Sequence, residues 1–243
     1  MKAKRRRISL ITNSLLIAAF TAVFAVGFFP QKAMPIYGGT EISAVYNGVR
    51  GTDKVSFMFN VYENAAVVEK IVDLLDGNGI KATFFVGGCW ADDNGGTLNK
   101  IARSGHEIAN HGYFHKDHKL LSYEKNREEI YLTGVIVKAL CGVEPKLFAP
   151  PSGSYSDATL QAATELGYKV IMWSKDTIDW RDKDKAKIVS RATKNLTGGD
   201  LILMHPKEHT LSALPEIIAY CNLKGLKPIT VSENISPKNT QNS

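Results

Sequence analysis

From residue 54 onward the hydrophobic positions change period repeatedly. Lys54 to Phe59 is a short apolar run of strand type. Val67, Val68, Ile71, Val72 and Leu75 follow at the spacing of one helix face, closed by Gly77 and Gly79. Ala82 to Val86 is the next strand-like run and ends at Gly87-Gly88. A short helix over Thr97 to Arg103 stops at Gly105, and His106 to Asn110 reads as a third strand. Ser122 is placed to cap a long helix through Ile130, Val137 and Leu140 to Gly142. Further strands are expected at Lys146 to Ala149, Tyr168 to Trp173, Asp200 to Met204 and Lys227 to Val231, with helices near 157–166, 184–196 and 211–224. This alternation predicts an α/β fold with a parallel sheet and crossover helices. A barrel related to the eight-stranded β/α type is the first choice and an open doubly wound sheet the second. No phosphate-binding glycine pattern follows a strand, which argues against a nucleotide-binding sheet.

Ahead of that domain the pattern is different. Lys2, Lys4, Arg5, Arg6 and Arg7 precede an apolar stretch from Ile8 to Phe29 that is long enough to cross a bilayer. The basic cluster is expected to stay in the cytoplasm, which places the rest of the chain outside. The residues after the stretch, Phe-Phe-Pro-Gln-Lys-Ala, fit a cleavage site poorly, so an anchor is favoured over a cleaved signal. Residues 31–52 lack a sustained period and read as a linker; 53–232 is the working domain and 233–243 a polar, disordered tail. The charge follows the same division. Of thirty basic residues five sit in the N-terminal run, leaving 25 against 24 acidic ones, so the folded part shows no basic excess for nucleic acid. Cys89, Cys141 and Cys221 are odd in number and far apart. They form no Cys-x-x-Cys pair, and buried free thiols are favoured over one disulfide.

The chemistry collects at the C-terminal ends of the expected strands, where sites form in such folds. Those ends carry Asn60, Gly87, His111, Pro150-Pro151, Trp173 with Asp176, and His205. All six histidines fall in two windows, His106 to His118 and His205 to His209. His111 and His115, four apart, suit two nitrogen ligands on zinc or a similar ion, and the same spacing also fits a polar loop. Asp117 and His118 are additional candidate ligands, with a solvated run favoured by their Lys-Asp-His-Lys setting.

Lys81-Ala-Thr-Phe-Phe-Val-Gly, Gly105-His-Glu-Ile-Ala-Asn-His-Gly-Tyr-Phe-His115, Asp176-Thr-Ile-Asp-Trp180 and Ile202-Leu-Met-His205 together resemble the polysaccharide deacetylases, carbohydrate esterase family 4 with its NodB-homology domain. The resemblance spans about residues 55–232. It implies a distorted parallel (β/α) barrel and metal-dependent removal of N-acetyl groups from chitin-like or peptidoglycan glycans. It assigns His111 and His115 to a divalent metal (zinc, with cobalt or nickel as alternatives) and His205 to the general acid. Asp179 would tune His205, Trp180 would wall the acetyl pocket, and Pro151 and Ser152 would face substrate.

Two motifs depart from the family. Where it has Thr-Phe-Asp-Asp-Gly, with catalytic base and third metal ligand, this chain reads Met58-Phe59-Asn60-Val61-Tyr62. The arginine that pairs with the base is Ala149. These losses agree: beside a neutral amide, an arginine would be a buried charge without a partner. Glu63 is the nearest replacement carboxylate, or else an acidic residue favoured at a helix N-terminus. The expectation is an exported, membrane-anchored hydrolase of N-acetylated envelope glycans. The rival is a pseudoenzyme that binds glycan or an envelope partner without turnover.

Overall fold

The computed structural model describes residues 42–236; the basic run and the expected membrane segment lie outside them. The chain runs through β1 (Lys54–Val61), α1 (Ala65–Gly77), β2 (Thr83–Val86), α2 (Gly88–Asp93), α3 (Gly95–Arg103) and β3 (Glu107–Asn110). Next come α4 (Tyr123–Cys141), β4 (Leu147–Phe148), α5 (Asp157–Glu165), β5 (Lys169–Val170) and β6 (Lys175–Asp176). It continues with α6 (Lys185–Thr193), β7 (Leu201–Met204), α7 (Glu208–Leu223), β8 (Lys227–Pro228) and α8 (Val231–Ile235). The long helix is bounded as the sequence predicts. The Ser122 side chain accepts the amide of Lys125, and Gly142 closes α4 at φ +75°.

Every strand pairing is parallel, in the order β5-β4-β3-β2-β1-β7-β6, with β8 against the start of β1. The outermost strands, β5 and β6, are separated by only the residues between Val170 and Lys175. Five residue steps reach at most about 17 Å, so the two edges must lie close and the sheet must curl. The result is a half-barrel of the distorted (β/α) type, which displaces the doubly wound alternative. It also divides the expected strand Tyr168 to Trp173: only Lys169–Val170 joins one edge, and the chain crosses to the other at Lys175.

Alternation along β1 separates two apolar layers. Phe57, Phe59 and Val61 pack outward with the helices, together with Val68, Ile71, Leu98 and Ile217. Met58 packs inward with Phe85, Ala109, Ala149 and Leu201. Asn60, two residues beyond Met58, therefore lies above this inner layer, at the mouth.

The expected linker and tail need correction where they are described. The amide of Val45 donates to the Val170 carbonyl, its own carbonyl accepts from Met172 (2.8 Å each), and Val49 donates to Asn234 O at 2.8 Å. Asn234 is 1% exposed and its Nδ2 donates to Ser56 Oγ at 3.0 Å. Backbone pairing of this kind needs no hydrophobic period, so the sequence pattern carries no sign of it. The cysteines are free, with Cys221 buried and Cys89 and Cys141 half-buried.

Candidate active site

A cavity of about 320 Å³ opens at the C-terminal ends of the strands. β1 delivers Asn60 and Tyr62 to it, the loop after β3 delivers His111 and His115, and the turn after β4 delivers Ser152. Trp173, Asp176 and Trp180 close it on the side where the chain crosses between the sheet edges, and Leu203 and His205 complete it from β7. Left-handed backbone gathers here: His115 has φ +54°, Ser152 +57° and Ile178 +54°. For the β-branched Ile178 this conformation is costly, and Asp176 Oδ1 helps to hold it by accepting the Ile178 amide at 2.8 Å.

His111 is 1% exposed, and its Nδ1 lies 2.8 Å from the Ala149 carbonyl. A carbonyl only accepts, so Nδ1 carries the proton and Nε2 presents its lone pair, with no hydrogen-bond partner among the described residues. The His115 ring stands 5.2 Å from it, centroid to centroid. Burial holds the pKa of His111 well below the ordinary histidine value, reinforced by His115; burial also lowers that of His115. The loop is fastened from α4. Glu129 Oε2 accepts the amides of Tyr113 (2.9 Å) and Phe114 (2.7 Å), and Oε1 pairs with Lys116 at 3.1 Å. Gly112, at φ +74°, passes so close to His118 that a Cβ would meet Nε2 at 2.8 Å. His118 is buried against Asn126 (2.7 Å), not solvated as its polar neighbours suggest.

On the opposite wall, Asp179 accepts three hydrogen bonds. Oδ1 takes His205 Nδ1 at 2.7 Å, while Oδ2 takes the His205 amide at 2.7 Å and the Thr210 hydroxyl at 2.6 Å. Burial alone would raise the Asp179 pKa, but these donors outweigh it and the net direction is down. The pair fixes the His205 ring with its other nitrogen free for a proton transfer at the cavity.

Residues 47–171 match the family model for polysaccharide deacetylase. The chain belongs to the polysaccharide deacetylase family. A peptidoglycan-N-acetylglucosamine deacetylase of Bacillus cereus is 31% identical over 191 residues, covering 76% of this chain and 70% of that protein. The Bacillus subtilis protein YlxY, itself uncharacterized, is 36% identical over 189 residues; the match covers 78% of this chain and 59% of YlxY. Among solved structures, a pseudoenzyme of carbohydrate esterase family 4 from Bacillus anthracis superposes with a TM-score of 0.78 at 29% identity, covering 81% of this chain and 70% of that one. A mutant of that pseudoenzyme described as having restored enzymatic activity superposes equally well, at 28% identity.

Of the departures from the family's motifs, Asn60 and Tyr62 line the cavity, while Val61 and Ala149 are packed into the apolar layers. Asn60 is 2% exposed, and its Oδ1 has no hydrogen-bond partner among the described residues. Val61, where the family places a metal ligand, is fully buried in the outer apolar layer. Tyr62 stands where the motif has glycine, and its ring lies against His115 at 4.1 Å, with His111 and His205 at 6.3 and 6.4 Å. Ala149 packs into the inner layer. Glu63 pairs with Lys207 and does not line the cavity. Pro151 is buried in the turn before Ser152, and Trp180 is half exposed at the mouth.

The fit to a family metal is therefore incomplete. His111 Nε2 is suitably presented, but no carboxylate joins the two histidines. Among the described residues no group of three or more His, Cys, Asp or Glu is placed to hold a metal ion. The Tyr62 phenol is no substitute, because burial and then the Glu63 carboxylate push its pKa above the ordinary value and keep it neutral. No role falls to Tyr62 from the family motifs. Its signal was present, as a bulky ring at the glycine of the first motif.

Proposed function

We propose that this protein is an exported, membrane-tethered member of the polysaccharide deacetylase family that binds amino-sugar glycans of the cell envelope without hydrolysing them. The N-terminal basic and apolar pattern supports the tether and the export. One observation carries the loss of turnover: the Tyr62 ring stands beside both histidines, while Asn and Val occupy the positions of base and third ligand. Amide hydrolysis needs an activated water, and losing a general base costs about 100- to 10,000-fold in rate by itself. Glycan binding is supported by the retained cleft, by the exposed face of Trp180, and by relatives named as peptidoglycan deacetylases. Metal-dependent N-deacetylation is the second reading, favoured by the intact His205–Asp179 pair.

The test uses the full-length chain with an N-acetylglucosamine oligomer and with peptidoglycan sacculi, in the presence of zinc, cobalt or nickel. No acetate release above the protein-free control is expected, together with retention on sacculi that Trp180→Ala abolishes. Acetate release that disappears in His205→Ala would establish the second reading instead.

A further inference from the structure

The cavity differs in chemical character from one built for an acetamido group. Its polar wall carries one half-buried carboxylate, Asp176, beside the neutral hydroxyl and indole donors of Tyr62, Ser152 and the tryptophans. Two further acceptors, His111 Nε2 and Asn60 Oδ1, are buried with no hydrogen-bond partner among the described residues. An orphaned buried acceptor costs about 1–3 kcal/mol, so such a wall favours a donor-bearing ligand. Among the described residues, no lysine or arginine lines the cavity. The nearby cations are held elsewhere: Lys207 pairs with Glu63, and Arg181 and Arg191 with Asp182. Any charge on His205 is matched by Asp179. Burial raises the pKa of Asp176, outweighing the hydrogen bond from the Ile178 amide and the pull of His205 and Arg191. The remaining walls include three aromatic rings, Tyr62, Trp173 and Trp180. Aromatic faces beside a carboxylate attract an ammonium group through their quadrupoles and also accept the apolar face of a sugar ring.

We infer that the cavity takes the protonated amino group of a de-N-acetylated sugar, a glucosamine-type unit of a glycan chain, in preference to the acetylated unit. The inference rests on the glycan-binding reading above and names its ligand. The acetamido group is neutral and offers the Asp176 carboxylate a single N–H donor, with a carbonyl acceptor beside it. The ammonium brings three donors and a positive charge to the same wall. The protein then reads the product of N-deacetylation, a reaction that a separate deacetylase must supply.

The test is calorimetric titration of the full-length chain with a β-1,4-linked glucosamine tetramer and with the same tetramer after complete re-N-acetylation, at a pH where the amine is protonated. The free-amine tetramer is expected to bind about tenfold more tightly. Asp176→Asn should weaken the free-amine tetramer and bring the two affinities to within about twofold of each other. Trp180→Ala, at a half-exposed position that folding tolerates, should weaken the free-amine tetramer as well. Equal or tighter binding of the acetylated tetramer overturns the inference and leaves the glycan-binding reading standing. A free-amine preference that survives both substitutions overturns this site as its source. Binding of neither tetramer overturns both.

Discussion

His106 is 5% exposed behind the sheet, its Nδ1 accepting the Ala82 amide at 3.1 Å. Burial pushes its pKa down to about 4, against the weaker upward pull of Asp76. The unfolded chain, with an ordinary histidine value near 6.5, takes up this proton first as pH falls. Stability is therefore full above about pH 6.5 and declines toward about pH 4, by about 3 kcal/mol from this residue. Burial lowers the pKa of His111 and His118 too, so both act in the same direction. Urea midpoints at pH 7 and 4.5 check it. His106→Gln should flatten the acid slope, and a slope unchanged by that substitution would refute the assignment. Asp179 acts separately: despite burial, the His205 and Thr210 donors hold its carboxyl below the ordinary carboxylate value, so it is ionised at both pH values.

Among the elements, α4 does the most to place the candidate site, through one carboxylate. Glu129 ties the backbone of Tyr113 and Phe114 to the helix, and so fixes the loop that carries His111 and His115. Replacing Glu129 with Leu leaves two amides without acceptors and should cost about 2–3 kcal/mol. Ser122→Ala removes the cap of the same helix and should cost about 1 kcal/mol. The two losses differ in reach. Denaturant unfolding gives the magnitudes, and NMR of the histidine rings separates the effects. Glu129→Leu should shift the His111 and His115 signals, and Ser122→Ala should leave them in place.

Over the whole molecule, the retained histidines and the replaced wall make opposite demands on metal. Full-length protein incubated with zinc and then desalted is expected to hold well below stoichiometric metal. Asn60→Asp, Val61→Asp and Tyr62→Gly together restore two carboxylates and remove the ring, and should raise retention, as mass spectrometric metal analysis would register. Stoichiometric zinc on the unsubstituted chain, lost in His111→Ala, would mean that two nitrogens and water suffice and would reopen the hydrolytic reading. Val61→Asp is the most demanding step of the repair, since it sets a carboxylate where the side chain packs into the outer apolar layer.

The sequence alone determined the alternation of strands and helices, the Ser122 and Gly142 limits of α4, and the motifs that carry His111, His115, Asp179 and His205. Each is a local matter of period, capping or short spacing, and such signals survive in one dimension. It also exposed the replacements Asn60, Val61 and Ala149. The tertiary structure decided what local pattern cannot carry. Curling of the sheet brought β5 and β6 near each other, and with them Trp173, Asp176 and Trp180 into one wall. Pairing of Val45 and burial of Asn234 extended the domain at both ends. The Lys207 ion pair engaged Glu63, and the Tyr62 ring settled beside the histidines. These outcomes depend on which distant segments meet, and that is fixed only when the half-barrel closes around its core.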